Sequence, residues 1–279
     1  MARPLWFVEL LKRGFAQRFR LARLSRVPLL GRIFDRLLFA GDDIIFLPRS
    51  EVVHVHQSVA VPEQTVLPAQ VVHHFIDVAQ YHWIMNFCIC RSAAHCQDYP
   101  IELGCLFMGR PVLQINPRLG KLVTRAEAHA HVERCRQAGL VHLIGRNRLD
   151  ALWLGVKPGE ELLTVCHCCP CCCLYRFLPS LAPFISARFA RMPGVSVTVT
   201  GACDGCGVCA NGICFVGAIT LNGGRAAISD ACRGCGRCAM VCPQQAIRLT
   251  MEGDAIERTM ARVSTAVRLQ QQDASSPRR

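Results

Sequence analysis

The sequence predicts an α+β protein: a cysteine-rich, mostly helical amino-terminal domain followed by a small, internally repeated carboxy-terminal module. Three observations carry this expectation. Helix-start signals and amphipathic stretches dominate the first two thirds of the 279 residues. Two runs rich in cysteine and glycine begin 29 residues apart, at Cys203 and Cys232, and each leads into a short apolar segment of strand character. Most of the 19 cysteines fall into three dense groups instead of the even spread of a disulfide framework. The expected divisions are a basic amphipathic segment (1–48), a cysteine-rich domain (49–192), the repeated module (193–252), and a helix with a polar tail (253–279).

Composition narrows the class. Apolar residues make up 51% and charged residues 19%, which excludes wholesale disorder. No run of 18 apolar residues occurs, so an ordinary membrane-spanning helix is excluded. Arginines interrupt the apolar amino terminus, and neither a signal peptide nor a twin-arginine export signal is expected. Dense thiols without such a signal fit a reducing compartment, so the expected location is cytoplasmic. The formal net charge of +12 on its own suggests an anionic partner.

Each element has a local reason. Residues 4–39 mix bulky apolar residues (Trp6, Leu10, Phe15, Phe34) with arginines, and Pro28 and Gly31 divide them into two short helices. A basic amphipathic segment of this kind packs on its own domain or docks on an anionic membrane surface, which would place the protein on the inner membrane face. Pro68 opens a helix expected to run to Phe87. Thr124-Arg-Ala-Glu127 is a capping box for a helix ending near Gly139, with Cys135 as a core thiol on it. Strands are expected at 161–165, 218–221 and 246–250, with Asn222-Gly223-Gly224 as a turn. The ten histidines are read as satisfied or exposed imidazoles, with His95 and His167 set apart because they adjoin cysteines. Haem-attachment, P-loop and dinucleotide fingerprints are missing from the sequence.

The strongest motif is Cys232-Arg-Gly-Cys-Gly-Arg-Cys-Ala-Met-Val-Cys-Pro, an unbroken C-x2-C-x2-C-x3-C-P run. That spacing wraps three thiolates around one cubane and sends the fourth to a partner cluster. The earlier run holds Cys203, Cys206, Cys209 and Cys214, with one extra residue before Cys214 and Phe215 in place of proline. Glycines 205, 207, 234 and 236 let the backbone turn and aim N–H groups at sulfur. The alternative for these eight thiols is a pair of zinc knuckles. Residues 194–252 resemble the bacterial-type ferredoxin domain that carries two [4Fe–4S] clusters, which makes the module ferredoxin-like. The resemblance implies that Cys203, Cys206, Cys209 and Cys242 hold one cluster. It implies that Cys232, Cys235, Cys238 and Cys214 hold the other. Over residues 1–250 the order of motifs also resembles a family of cysteine-rich iron–sulfur proteins, which implies an architecture and not a reaction.

Upstream, Cys88, Cys90, Cys96 and Cys105 supply four thiols within 18 residues, the number a cubane needs. Cys88 and Cys90 point the same way if that segment is extended. Cys166, Cys168, Cys169, Cys171, Cys172 and Cys173 supply six within eight residues, more than one cubane uses. Three readings compete for these ten: one or two further iron–sulfur clusters, a zinc or mixed-metal site, and buried or redox-active thiols.

Each [4Fe–4S] site adds roughly −2 to the holoprotein, so two clusters bring +12 to about +8 and nucleic acid becomes an unlikely partner. The leading expectation is an electron-transfer protein that docks with redox protein partners. The alternatives are an oxidoreductase subunit with a substrate-reactive cluster and a metal storage or assembly protein.

Overall fold

The computed structural model describes residues 3–49, 53–56 and 68–269. The polar tail expected from Gln270 lies outside them.

At the centre is a seven-stranded sheet. Its strands are β1 (Asp43–Phe46), β3 (His82–Met85), β4 (Leu106–Met108), β5 (Gly120–Val123), β6 (Val141–Arg146), β7 (Leu163–Cys168) and β8 (Phe189–Arg191). The order is β5-β3-β4-β7-β6-β1-β8, antiparallel except where β1 meets β8. The helical content expected of residues 49–192 is therefore joined by a sheet that the sequence reading did not anticipate. The reason is burial on both faces: β3, β4 and β7 are buried at every position, so no apolar–polar alternation marks them. The helix expected from Pro68 to Phe87 stops early for the same reason. It covers only α4 (Ala69–Val78), and the chain then turns into β3.

Two layers cover the sheet. On one face, α4, α6 (Arg125–Gln137) and α10 (Ala255–Ala266) pack on Ile45, Ile144, Leu163 and Val165. The capping box of α6 forms as expected: Thr124 Oγ1 accepts the Glu127 N–H at 3.2 Å, and Glu127 accepts the Thr124 N–H at 2.8 Å. Gly139 follows the helix with φ +76°. Cys135 is fully buried on it.

The other face carries α5 (Ile89–Ala93), α7 (Arg148–Leu154), α8 (Pro183–Ser186) and the amino-terminal helices. These are α1 (Leu5–Gly14), α2 (Arg18–Leu24) and α3 (Pro28–Phe34), followed by a π-helical turn at Asp35–Phe39. Three α-helices thus replace the expected two. The break falls just before Pro28, which becomes the first residue of α3. Gly31 does not break the chain: it lets α3 lie against Ser25, where a Cβ would sit 2.1 Å from the carbonyl oxygen. Arg188 anchors this layer with two 2.9 Å hydrogen bonds to Asp35.

The carboxy-terminal module contains β9 (Val195–Val199), β10 (Ile219–Asn222), β11 (Arg225–Ile228), α9 (Arg237–Met240) and β12 (Ile247–Glu252). β10 and β11 form a hairpin in which Asn222 pairs with Arg225, leaving Gly223 and Gly224 as the two turn residues. Both have positive φ, as a type I′ turn demands. β12 pairs with β9 and also, in parallel, with β2 (Val53–His56). α10, which follows the module, is tied to β1 by Arg262, which hydrogen-bonds both carboxylate oxygens of Asp43.

Candidate functional site

The sheet decides where the upstream thiols go. Along β7 the side chains alternate: Leu163 and Val165 face the α6 layer, whereas Cys166 and Cys168 face the amino-terminal helices. The antiparallel register of β4 on β7 pairs Leu106 with Val165, so Cys105 stands opposite Cys166. Their sulfurs are 3.8 Å apart. Cys88 precedes α5 and Cys90 lies in its first turn, so the condition of an extended segment is not met. Both nonetheless face the same space.

That space is a cavity of about 300 Å³ with a largely apolar lining. Seven thiols border it: Cys88, Cys90, Cys105, Cys166, Cys168, Cys169 and Cys173, of which Cys169 is shared with a second thiol group. Leu11, Phe15, Phe34 and Leu38 of the amino-terminal helices form its roof. The inner side of the basic amphipathic segment is therefore packed on its own domain, while Trp6, Leu29 and Leu37 on the outer side remain exposed.

The cavity thiols share protons. A hydrogen bond with Cys90 lowers the Cys88 pKa to about 7, and Cys90 is raised in return. Hydrogen bonds from Cys105 and Cys168 hold Cys166 well below the ordinary thiol range. Arg91 supplies the counter-charge. It is fully buried, and its guanidinium donates to the carbonyl oxygens of Pro100 and His167, each at 2.8 Å, and of Leu103. Burial alone would lower its pKa, but the sulfurs of Cys88, Cys169, Cys105 and Cys168 raise it. A buried cation bonded only to carbonyls is costly unless anions lie beside it, and Cys88 and Cys166, the two cavity thiols whose pKa is lowered, can supply them.

The two upstream groups of the sequence are thus redistributed. Cys88, Cys90 and Cys105 of the first join Cys166, Cys168 and Cys173 of the second around the cavity. Cys96 leaves its sequence neighbours and joins Cys169, Cys171 and Cys172, whose four sulfurs all lie within 4.8 Å of one another. Sequence proximity did not reveal this exchange. The available signal was the Cys-His-Cys alternation at 166–168, which a strand splits between two faces.

Several histidines are satisfied as expected, whereas the buried Nε2 atoms of His142 and His167 have no hydrogen-bond partner. His82 bonds the Ile76 carbonyl at 2.7 Å and His131 the Gly104 carbonyl at 2.8 Å. His142 and His167, paired across β6 and β7, meet through their Nδ1 atoms at 2.8 Å. His167 therefore faces away from Cys166 and Cys168, toward His131 and Cys135. His95 is exposed at the surface and joins no thiol group.

In the module, electrostatic neighbours sort the eight thiols. Cys209 lies beside Cys242, Cys203 and Cys206. Cys238 lies beside Cys235, Cys232 and Cys214, and these four border one small apolar pocket. Burial raises the Cys235 thiol to about 12 and raises Cys232 and Cys238 as well. Backbone amides are aimed at sulfur in a repeated pattern. Ala218 donates to Cys214 and Ala246 to Cys242, both at 3.3 Å and both four residues downstream. The extra residue before Cys214 is thus absorbed without changing the turn that follows. Gly205 and Gly234 occupy equivalent left-handed positions, and a Cβ at Gly205 would lie 1.9 Å from the Gly224 oxygen. Two sets of four thiols, each served by N–H donors, fit the chemistry of iron–sulfur ligation.

The inner set faces the body. Arg233 hydrogen-bonds the Ser186 carbonyl at 3.2 Å, and Arg237 reaches the Gly139 carbonyl at 2.7 Å. Arg237 is buried, with its guanidinium over the rings of Tyr99 and Phe215.

Comparison with known proteins agrees with the second cysteine run. No curated protein and no solved structure matches the chain. Residues 227–248 match the 4Fe-4S binding domain family, so the chain contains a ferredoxin-like iron–sulfur element for at least one [4Fe–4S] cluster.

Proposed function

We propose that this chain is an electron-transfer protein with two [4Fe–4S] clusters in its carboxy-terminal module and a further cluster in the thiol-lined cavity. Cys203, Cys206, Cys209 and Cys242 would hold the outer cluster, and Cys214, Cys232, Cys235 and Cys238 the inner one. Cys88, Cys90, Cys105, Cys166, Cys168 and Cys173 offer the cavity more than the four thiolates a cubane uses. A bound cluster supplies one-electron storage at a potential set by nearby charge, hydrogen bonds and burial.

One observation carries the reading: Cys214, Cys232 and Cys235 of the inner set pack on the same core as Cys105, Cys166, Cys168 and Cys173 of the cavity. Phe215, next to Cys214, meets Phe46 at 5.9 Å between ring centroids, and Phe46 meets Tyr175 at 6.0 Å. The Tyr175 hydroxyl lies 3.9 Å from the Cys166 sulfur. These residues exclude water between the two thiol sets and hold them at fixed separation. Arg91 places a buried positive charge beside the cavity thiols, and the amino-terminal helices roof the cavity.

A second reading is favoured by the cavity itself. Its volume and its surplus thiols suit a substrate-reactive cluster in an oxidoreductase subunit, fed by the module. No observation favours storage or assembly.

The test is an anaerobic redox titration followed by electron paramagnetic resonance on the full chain, with Cys235→Ser and Cys166→Ser. Each substitution is expected to remove or alter a different signal. A single signal set lost in both variants, or unchanged in both, overturns the assignment of separate clusters.

A further inference from the structure

We infer that Cys96, Cys169, Cys171 and Cys172 form a closed, mononuclear zinc site, separate from the cluster-binding thiols. The sulfurs of Cys96 and Cys171 are 3.6 Å apart, and those of Cys171 and Cys172 are 3.5 Å apart. All four lie within 4.8 Å of one another. A single ion with Zn–S bonds of about 2.3 Å holds its four sulfurs at tetrahedral edges of about 3.8 Å. The spacing therefore fits one metal ion at the centre. A cubane places its whole iron–sulfide core between the thiolates, so its terminal sulfurs must stand much wider.

The same chain provides the contrast. Among the described residues, no three of the eight module thiols converge in this way, nor do any three of Cys88, Cys90, Cys105, Cys166, Cys168 and Cys173. In the cavity Cys105 and Cys166 stand as close, at 3.8 Å, but only as a pair; the convergence of four sulfurs is what suits an ion.

The surroundings are those of a structural site. Cys96, Cys169 and Cys172 are buried and Cys171 is half-buried. Backbone amides of Asp98 and Tyr99 are directed at the Cys96 sulfur, and that of Cys172 at Cys169. Such donors, two and three residues beyond a thiolate, orient it for a metal. Arg176 fixes the loop by donating to the Pro170 carbonyl at 2.6 Å and the Cys171 carbonyl at 3.4 Å. With four thiolates, the site has no open position for a substrate. Its effect is to clamp the loop after β7 to the loop after α5, next to the elements that supply the cavity thiols.

The experiment uses the full chain, purified anaerobically, with zinc, iron and sulfide measured on one sample. About one zinc per chain is expected, with X-ray absorption showing four sulfur neighbours at about 2.3 Å. Growth with cobalt should give the visible bands of a tetrahedral cobalt tetrathiolate. Cys171→Ser, chosen because Cys171 is the least buried of the four, should lower zinc at least twofold while sulfide is unchanged. Wild-type protein without zinc, zinc with nitrogen or oxygen neighbours, or mononuclear or clustered iron at these four thiols overturns the inference. The wild-type measurements decide it even if the variant does not fold.

Discussion

Replacing Arg91 with methionine keeps much of the side-chain volume but removes a positive charge from the middle of the thiol cage. Three carbonyl oxygens, those of Pro100, Leu103 and His167, lose their donor. A hydrogen bond to a charged group contributes about 1.5–3 kcal/mol, so losing three costs at least ~4 kcal/mol. For a chain of this size that lowers the melting temperature by roughly 10 °C. Without the cation, neighbouring thiols also return toward their neutral forms, which ligate metal poorly. Iron content of anaerobically purified protein should fall by about a third, the cavity's share of three clusters, with the module's share retained. Arg91→Lys separates charge from geometry: it keeps the charge but cannot serve three carbonyls, so it should retain iron and recover only part of the stability. An Arg91→Met protein with wild-type iron content and melting temperature would refute the counter-charge reasoning.

Further outcomes follow from the same structure. Arg237 is buried and Arg233 half-buried beside the inner thiols, whereas Asp204 beside the outer ones is exposed, so the inner cluster should have the higher potential. One charge at roughly 8 Å in an effective dielectric of 20 contributes ~2 kcal/mol, or about 90 mV. In a potentiometric titration Arg233→Gln/Arg237→Gln should lower that potential; unmoved potentials would defeat the charge argument. Burial raises Asp42 to about 7 although its Oδ1 accepts the Arg148 N–H at 2.6 Å. The folded state then holds a proton that the unfolded state lacks between pH ~4 and ~7. Stability should fall by up to ~4 kcal/mol as pH rises through that window. Asp42→Asn should flatten the decline in chemical denaturation, and an unchanged slope would show that another group causes it. The exposed residues Trp6, Leu29 and Leu37 sit among arginines, and full-length protein should co-sediment with anionic liposomes at low salt. Serine at all three positions should abolish this while leaving iron unchanged; no liposome binding by the wild type would leave the outer face without a lipid role.

What the sequence made legible is local chemistry. The capping box of α6, the Gly223-Gly224 turn and the left-handed glycines 205, 207, 234 and 236 could be read because each depends on residues within a few positions. The 232–243 run could be read because cluster ligation constrains spacing directly. The seven-stranded sheet could not, since strands such as Leu106–Met108 are three residues long and buried on both faces. The partition of the upstream thiols was hidden for the same reason. Whether Cys96 joins Cys90 or Cys171 depends on how β4, β7 and α5 meet, and Cys96 and Cys171 are 75 residues apart. Sequence grouping put six thiols of 166–173 together, whereas strand alternation and the following loop assign Cys166 and Cys168 to the cavity and Cys169, Cys171 and Cys172 to the narrow site. The amino-terminal helices were legible as amphipathic, but not as the roof of a cavity whose walls come from distant strands.

The central claim is that clusters occupy both the module and the cavity. Iron and acid-labile sulfide per chain, measured anaerobically with spin quantitation of the reduced protein, test it most directly. Three [4Fe–4S] clusters require about twelve irons and about twelve sulfides per chain. A value near eight would confine the clusters to the module and contradict the proposed role of the cavity.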